Sequence, residues 1–547
     1  MRSSIGVAAL LGIASGAPAL ADFINEPAGS GLSAVNITGV SRNPSTGIYA
    51  ISGPIFDATG RQLQIGGGTV TGGVASLTLN NEVGTYNVTG ITGLGLTYVG
   101  DNSAGALTID GAGAFIEADT TWFGLQNEAT VNILNGGRYS GERTFLALDN
   151  FDGTPPGDVS VTVDGAGSTL ETETVGIGES SVPTTASAEL VVSDGGLLSA
   201  APTPGESFSN GQIYVGADSG TQDDRLLVTG NGSRAEATDF IGLLSLTGSD
   251  RIDVLEGGML AVTGTDSFGI SIGGFETAAE MLVSGAGSTA SSTGDVAVGF
   301  TRFVGWDDPE NFTGPRFGQH DGVLTVENGG SLAAAGEIIV DNSPAFTVTS
   351  GTIVGDPVSA ELVVGSGGSV SASNVIVNQG GRLSGAGGTI LSDVIVNGGT
   401  VAPGASPGIL NVDGDLDLVD ALLEIELGGT GLGEYDQLNI SGNLFADAGT
   451  TFQFSLFDDY MLQVGDTFDI FNVDGTMDLT SAMLDFTGLG DGVQTSFFST
   501  GSGSFALRVD DVDGNMPAPI PLPAGGMLLI SALGLLGLWN RKVRATA

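Results

Sequence analysis

Short alternating strands that end on glycine corners recur along most of this chain, and that recurrence narrows its possible folds more than any other feature. The unit begins with period-two apolar positions and turns at an Asx-Gly or Gly-rich corner, as in 107–113 (LTIDGAG), 161–168 (VTVDGAGS), 190–196 (LVVSDGG) and 226–233 (LLVTGNGS). Copies follow at 252–258 (IDVLEGG), 281–288 (MLVSGAGS) and 324–330 (LTVENGG). Many carry a later strand ending in Gly, such as 175–178 (VGIG), 213–216 (IYVG), 270–273 (ISIG) and 296–299 (VAVG). Corners of the Gly-Ala-Gly-Ser and X-Gly-Gly types tend to alternate down the chain.

Period-two alternation puts one face of each strand inside. Gly and Asx accept the positive φ angles that sharp corners demand. One such unit cannot bury its apolar face alone, but stacking each on the next makes a continuous core. The expected fold is therefore all-β: a right-handed parallel β-solenoid with terminal caps, of roughly 12 to 18 rungs and about 60 to 90 Å at the inter-strand spacing. A string of β-sandwiches fits less well, because the corners recur too regularly and the units lack large core aromatics.

The 547 residues include 92 Gly without a strict every-third pattern, which excludes collagen, and 41% apolar residues, which excludes wholesale disorder. With 62 acidic against 15 basic residues the net charge is −47. Phosphate backbones and anionic membrane surfaces need a basic face, so no nucleic-acid partner is expected. The absence of Cys removes disulfides and thiolate chemistry, leaving packing and hydrogen bonds to hold the fold.

Both ends look like addresses. Residues 1–21 read as a secretory signal peptide, with Arg2, an apolar run from Ile5 to Ala14, and a cleavage site formed by Ala19 and Ala21 before Asp22. Residues 511–547 read as a linker, a Pro-rich motif (PAPIPLPA, 517–524), one short hydrophobic helix opened by Gly525 and Gly526, and a basic stop-transfer end of Arg541, Lys542 and Arg544. The apolar stretch is only about 15 residues, short of the ~20 of a comfortable span, which suits a temporary anchor.

The sequence Ile520-Pro521-Leu522-Pro523-Ala524-Gly525-Gly526, followed by a hydrophobic helix and a basic end, resembles the PEP-CTERM class of sorting signals in its VPLPA-type variant, with Ile in place of the leading Val. That resemblance implies a Gram-negative host, passage through the inner membrane, and cleavage near the motif by an exosortase-type processing enzyme. It further implies delivery to the cell surface or extracellular matrix in association with exopolysaccharide or biofilm. The repeats resemble those shared by PEP-CTERM proteins and type V autotransporter passengers, although a helix and basic tail stand where an autotransporter carries its membrane barrel. The expected layout is a β cap region over 22–105, the repeat array over 106–400 and a C-terminal β-helix cap over 401–510. Residues 402–408 (APGASPG) and 428–438 (GGTGLGEYDQL) resemble closing rungs, and Phe452, Phe454, Phe468 and Phe471 enrich this cap in large apolar residues. A solenoid end needs such cover, because an open edge invites chain-to-chain pairing.

Candidate chemistry is sparse. His320, the only His, lies in an insertion with Trp306, Asp307, Asp308, Phe312 and Arg316. An aromatic and acidic loop of this kind could hold sugar, rings stacking on sugar faces while carboxylates accept hydroxyls; a solvated surface loop is the plainer reading. Asp413, Asp415 and Asp417 alternate as if along one strand face, about 7 Å apart, a spacing that glycosidase carboxylates tolerate. Asp511, Asp513 and Asn515 begin like a Ca²⁺ loop but lack the Glu at its twelfth position, so Ca²⁺ is a weak candidate and no other cofactor is expected. The function these readings support is a non-enzymatic structural or adhesive protein outside the cell. An extracellular polysaccharide-active enzyme on a β-helix scaffold is the alternative, and a self-associating surface-layer component a third.

Overall fold

The computed structural model describes residues 97–512 apart from 101–103, 149–153, 179–184, 203–210, 217–222, 245–248, 266, 268, 274–278, 300–320, 342–359, 405–406 and 502, together with the backbone of strands at 40–42, 48–51, 61–65, 75–80 and 91–96. The described residues are strands and corners, with no helix among them. The fold is all-β, as the alternation requires. The segments expected to form a signal peptide and a C-terminal hydrophobic helix lie outside the described residues.

Each repeat supplies one strand to each of three parallel ladders, so a strand pairs with those three places before and after it. Val159–Asp164 pairs with Ala129–Leu134 and Ala188–Ser193 in the first ladder. Thr169–Thr172 pairs with Leu197–Ala200 in the second, and Thr174–Ile177 with Gln212–Val215 in the third. Toward the N-terminus the second and third ladders run together in the nine-residue strands Ile91–Val99, Phe115–Phe123 and Arg138–Leu146. They part where Arg138–Leu146 pairs with both Thr169–Thr172 and Thr174–Ile177. The first ladder belongs to a 17-stranded sheet among the described residues, about 75 Å long at ~4.8 Å per strand.

Parallel pairing runs on past residue 401. It continues through Leu422–Leu427, Thr451–Leu456 and Met483–Gly488, so the region expected to be a cap carries rungs of its own. The pairing changes sense at both ends. Val40–Arg42 runs antiparallel to Ile48–Ile51, and Ser504–Asp511 runs antiparallel to both Thr467–Val473 and Gln494–Ser499.

One core runs through the described body. In the first ladder Val161, Leu190, Leu226, Ile252, Met281 and Leu324 stand in register, and all are buried. The column continues through Leu362, Leu383, Val401 and Leu423 to Phe452. Burying a Val, Leu or Ile in such a column contributes about 1.5–3 kcal/mol. Near the C-terminus the core widens to rings: Phe452 lies 5.5 Å from Phe471, and Phe454 stacks on Phe486 at 5.0 Å.

The alternating corners have a structural cause. In 164–168 the turn is made by Gly165 (φ 89°) and Gly167 (φ 86°); in the next rung it is made by Asp194 (φ 48°) and Gly195 (φ 88°). The serine closing the first kind reaches back to the second kind. Ser168 Oγ accepts the Gly136 N–H at 3.0 Å, Ser233 Oγ accepts that of Gly195 at 3.0 Å, and Ser288 Oγ that of Gly257 at 3.0 Å. Ser168 and Ser288 in turn donate to their own backbone carbonyls at Asp164 and Ser284. The second glycine of the X-Gly-Gly corner sits against the rung before it: a Cβ on Gly196 would lie 2.2 Å from the Val163 carbonyl oxygen. Successive rungs are therefore joined by the two devices in alternation, and the corner repeat is two rungs long.

Candidate functional site

With apolar residues inside, the three ladders turn three unlike faces outward. The first is ion-paired. Glu189, Arg225, Arg251 and Glu280 stand in register, and the side chain of Asp253, 2% exposed, lies 2.7 Å from Arg225 and 2.9 Å from Arg251. That carboxylate offsets the repulsion of two guanidiniums one rung apart. Arg382 inverts the device, one guanidinium lying between Glu424 at 2.6 Å and Glu361 at 3.4 Å.

The third face is apolar along two stretches, and Asp417 follows the second in register. Tyr98, Trp122 and Phe145 stand in register and stack at 5.0 and 6.5 Å. Tyr214, Phe240 and Leu244 form a buried cluster outside the main core, and Ala297, Ile339, Ile376 and Ile395 continue the register column. The stacked rings spend their faces on one another, which leaves edges rather than platforms for a ligand.

The second face is neutral for much of its length. Thr289, Ser331, Ser369, Thr389, Asn411, Asn439 and Asn472 occupy one register column without a charge, in a chain of net −47. Its C-terminal end is hollowed into a groove of about 200 Å³ lined by Thr389, Asn411, Asn439 and Asn472 on one side and Asp413, Ser441 and Asp474 on the other. Asn411 donates to the Gly388 carbonyl at 2.8 Å, Asn439 donates to Asn411 Oδ1 at 2.9 Å, and Ser441 donates to Asp413 at 2.7 Å. These bonds fix the rotamers of the groove wall. Amides there donate and accept, carboxylates accept, and no Arg or Lys lines the groove.

Asp413, Asp415 and Asp417 do not share a strand face. Ile409–Val412 belongs to the second ladder and Leu416–Val419 to the third, with 413–415 turning between them. Gly414 is pressed into that corner: a Cβ there would lie 2.6 Å from the Ser392 carbonyl oxygen. Asp413 lines the groove, whereas Asp415 accepts the Asn443 backbone N–H at 2.7 Å and its side-chain amide at 3.0 Å. Asp417 projects from the third ladder, where burial, then the charges of Asp415 and Asp393, raise its carboxyl above the usual range.

The two closing-rung motifs converge on Asp436. Only 2% exposed, it accepts the Gly408 N–H at 2.7 Å and the Glu426 N–H at 2.9 Å, tying 402–408 to the strand that precedes 428–438. Burial pushes its carboxyl up to about 6; the two N–H groups and Arg382 pull it down, and Glu426 adds to the rise. It acts as a clasp.

The remaining predicted residues lie largely beyond the described ones. Ala19, Ala21 and Asp22, the insertion bearing Trp306, Asp307, Asp308, Phe312, Arg316 and His320, Asp513 and Asn515, the motif 520–526, and Arg541, Lys542 and Arg544 are all outside them. Asp511 is described: it is 7% exposed at the end of the antiparallel strand Ser504–Asp511. Among the described residues no group of three or more acidic or imidazole side chains gathers to hold a metal ion. The neutral column escaped the sequence reading. Its signal lies just past each corner, where Thr289, Ser331, Ser369 and Thr389 recur at one offset. No family model matches the chain, and no curated protein matches it.

Proposed function

We propose that this chain is an exported structural or adhesive protein of the cell surface or extracellular matrix, built as a right-handed parallel β-solenoid with capped ends. A secretory signal would take it across the inner membrane. The short C-terminal helix would hold it there until an exosortase-type enzyme acts near Ile520–Gly526. The observation that carries the body of this reading is the three-ladder register, which presents the same kinds of side chain again and again along a stiff axis. Repetition of weak contacts gives avidity without any single strong site. The acidic excess adds hydration and solubility. An enzymatic reading draws less support, since Asp413, Asp415 and Asp417 are split between a groove, a corner and a third-ladder face.

Intact mass of the native protein from the host's culture medium and envelope fractions tests the reading. A chain starting at Asp22 and ending near Pro523 in the medium or on the surface is the expected result. An intact Arg541–Ala547 end retained in the inner membrane would overturn the sorting claim.

A further inference from the structure

We infer that the groove running from Thr389 to Asp474 on the second ladder binds a neutral, extended glycan laid along the ladder axis. The inference rests on the reading of the chain as a matrix-facing protein, and it gives that reading a ligand class. Successive rungs are about 4.8 Å apart, close to the advance per sugar of an extended, diequatorially linked glycan. Successive sugars of such a strand are turned over, so one edge offers ring and exocyclic hydroxyls in alternation, and these meet Thr389, Asn411, Asn439 and Asn472 in turn, one rung at a time. Asp413 and Asp474 face the same groove as acceptors.

Selectivity follows from what lines the groove. No cation is present to neutralise a uronate or a sulfate, and the two carboxylates repel either. Amide and hydroxyl groups match the donors and acceptors of unsubstituted sugars. The wall is ordered before the ligand arrives, because Asn439 is bonded to Asn411, Asn411 to Gly388, and Ser441 to Asp413. Binding then costs less side-chain entropy. The uncharged column continues back to Thr289, so a longer strand gains further contacts of the same kind.

The test is affinity electrophoresis of the full secreted chain through gels containing hydroxyethylcellulose or carboxymethylcellulose, which share a backbone and differ in charge. Retardation by the neutral polymer only, unchanged by EDTA and by raised salt, is the expected result. Asn411→Ala with Asn439→Ala should weaken that retardation at least tenfold. Asn439→Asp, nearly isosteric, should do the same if the double variant fails to fold. Absence of retardation by the neutral polymer, equal retardation by both polymers, loss in EDTA or in salt, or undiminished retardation of folded variants would each overturn the proposal. Because the purified chain is used, the outcome is independent of how its ends are processed in the host. The groove and the sorting claim therefore stand or fall separately.

Discussion

Between residues 105 and 334 the corners that follow the first ladder are joined from rung to rung by glycine and serine, whereas between 393 and 476 the corners between the second and third ladders are joined by aspartate and asparagine. In the first region a serine hydroxyl accepts a glycine N–H of the rung before it. In the second, Asp393 accepts the Asp415 N–H, Asp415 accepts that of Asn443, and Asn443 accepts that of Thr476, at 2.7 to 2.9 Å. Both devices solve one problem, since a corner leaves the ladder and its N–H groups still need acceptors. The hydroxyl solution is neutral and compact. The carboxylate solution brings charge to the corner and, at the Asp436 clasp, makes stability depend on pH.

The largest difference is expected in the cores. Phe452→Ala should cost about 4 kcal/mol, because a ring in contact with Phe471 is removed, whereas Ile252→Val in the same column should cost about 1 kcal/mol. Denaturant midpoints would measure both, and equal losses would deny the C-terminal core its greater share.

Gly196→Ala places a methyl 2.2 Å from the Val163 carbonyl oxygen and should cost about 3 kcal/mol. Gly433→Ala, where nothing lies within 4 Å, meets only the strain of φ 83°, about 1 kcal/mol. Thermal melts that rank Gly433→Ala as the worse variant would contradict the steric account of the glycine corners.

A pH series sharpens the electrostatic side. The Asp436 carboxyl stands at about 6 in the fold against 3.8 when unperturbed, so protonation favours the folded chain. Its contribution is full below about pH 4 and is lost as the pH rises through 6, a swing of about 3 kcal/mol. Asp436→Asn has no such proton to lose. The stability of the wild type relative to this variant should therefore fall by that amount between pH 4 and pH 7, and a constant difference would refute the clasp's titration. Ser233→Ala is the mildest test, since it deletes one inter-rung bond to Gly195 and should cost about 1 kcal/mol at every pH.

Much of this contrast could be read from residues, and part could not. Alternation of the two corner types was visible in the sequence because glycine and Asx at positive φ leave a local signature. In the region read as a C-terminal β-helix cap, Leu422–Leu427 and Thr451–Leu456 pair in parallel. The segments 402–408 and 428–438 stood out as motifs, but their meeting at Asp436 is a long-range contact that no local pattern encodes. The alternation over Asp413–Asp417 misled for the opposite reason: a corner at Gly414 has the same period-two spacing as a strand. The neutral column and its groove emerge only when rungs are laid in register.

Register is thus the central claim, and a chain with no native Cys allows it to be tested directly. Ser291 and Ala333 are paired on adjacent rungs of the second ladder, and Ser371 is paired with Ala333 one rung further on. Adjacent rungs at about 4.8 Å fall within disulfide reach, whereas two rungs at about 9.6 Å do not. Under mild oxidation Ser291→Cys with Ala333→Cys should form an internal bridge, and Ser291→Cys with Ser371→Cys should keep free thiols. Failure of the first pair, or equally ready bridging of the second, would contradict the stacked register on which the three faces and the groove depend.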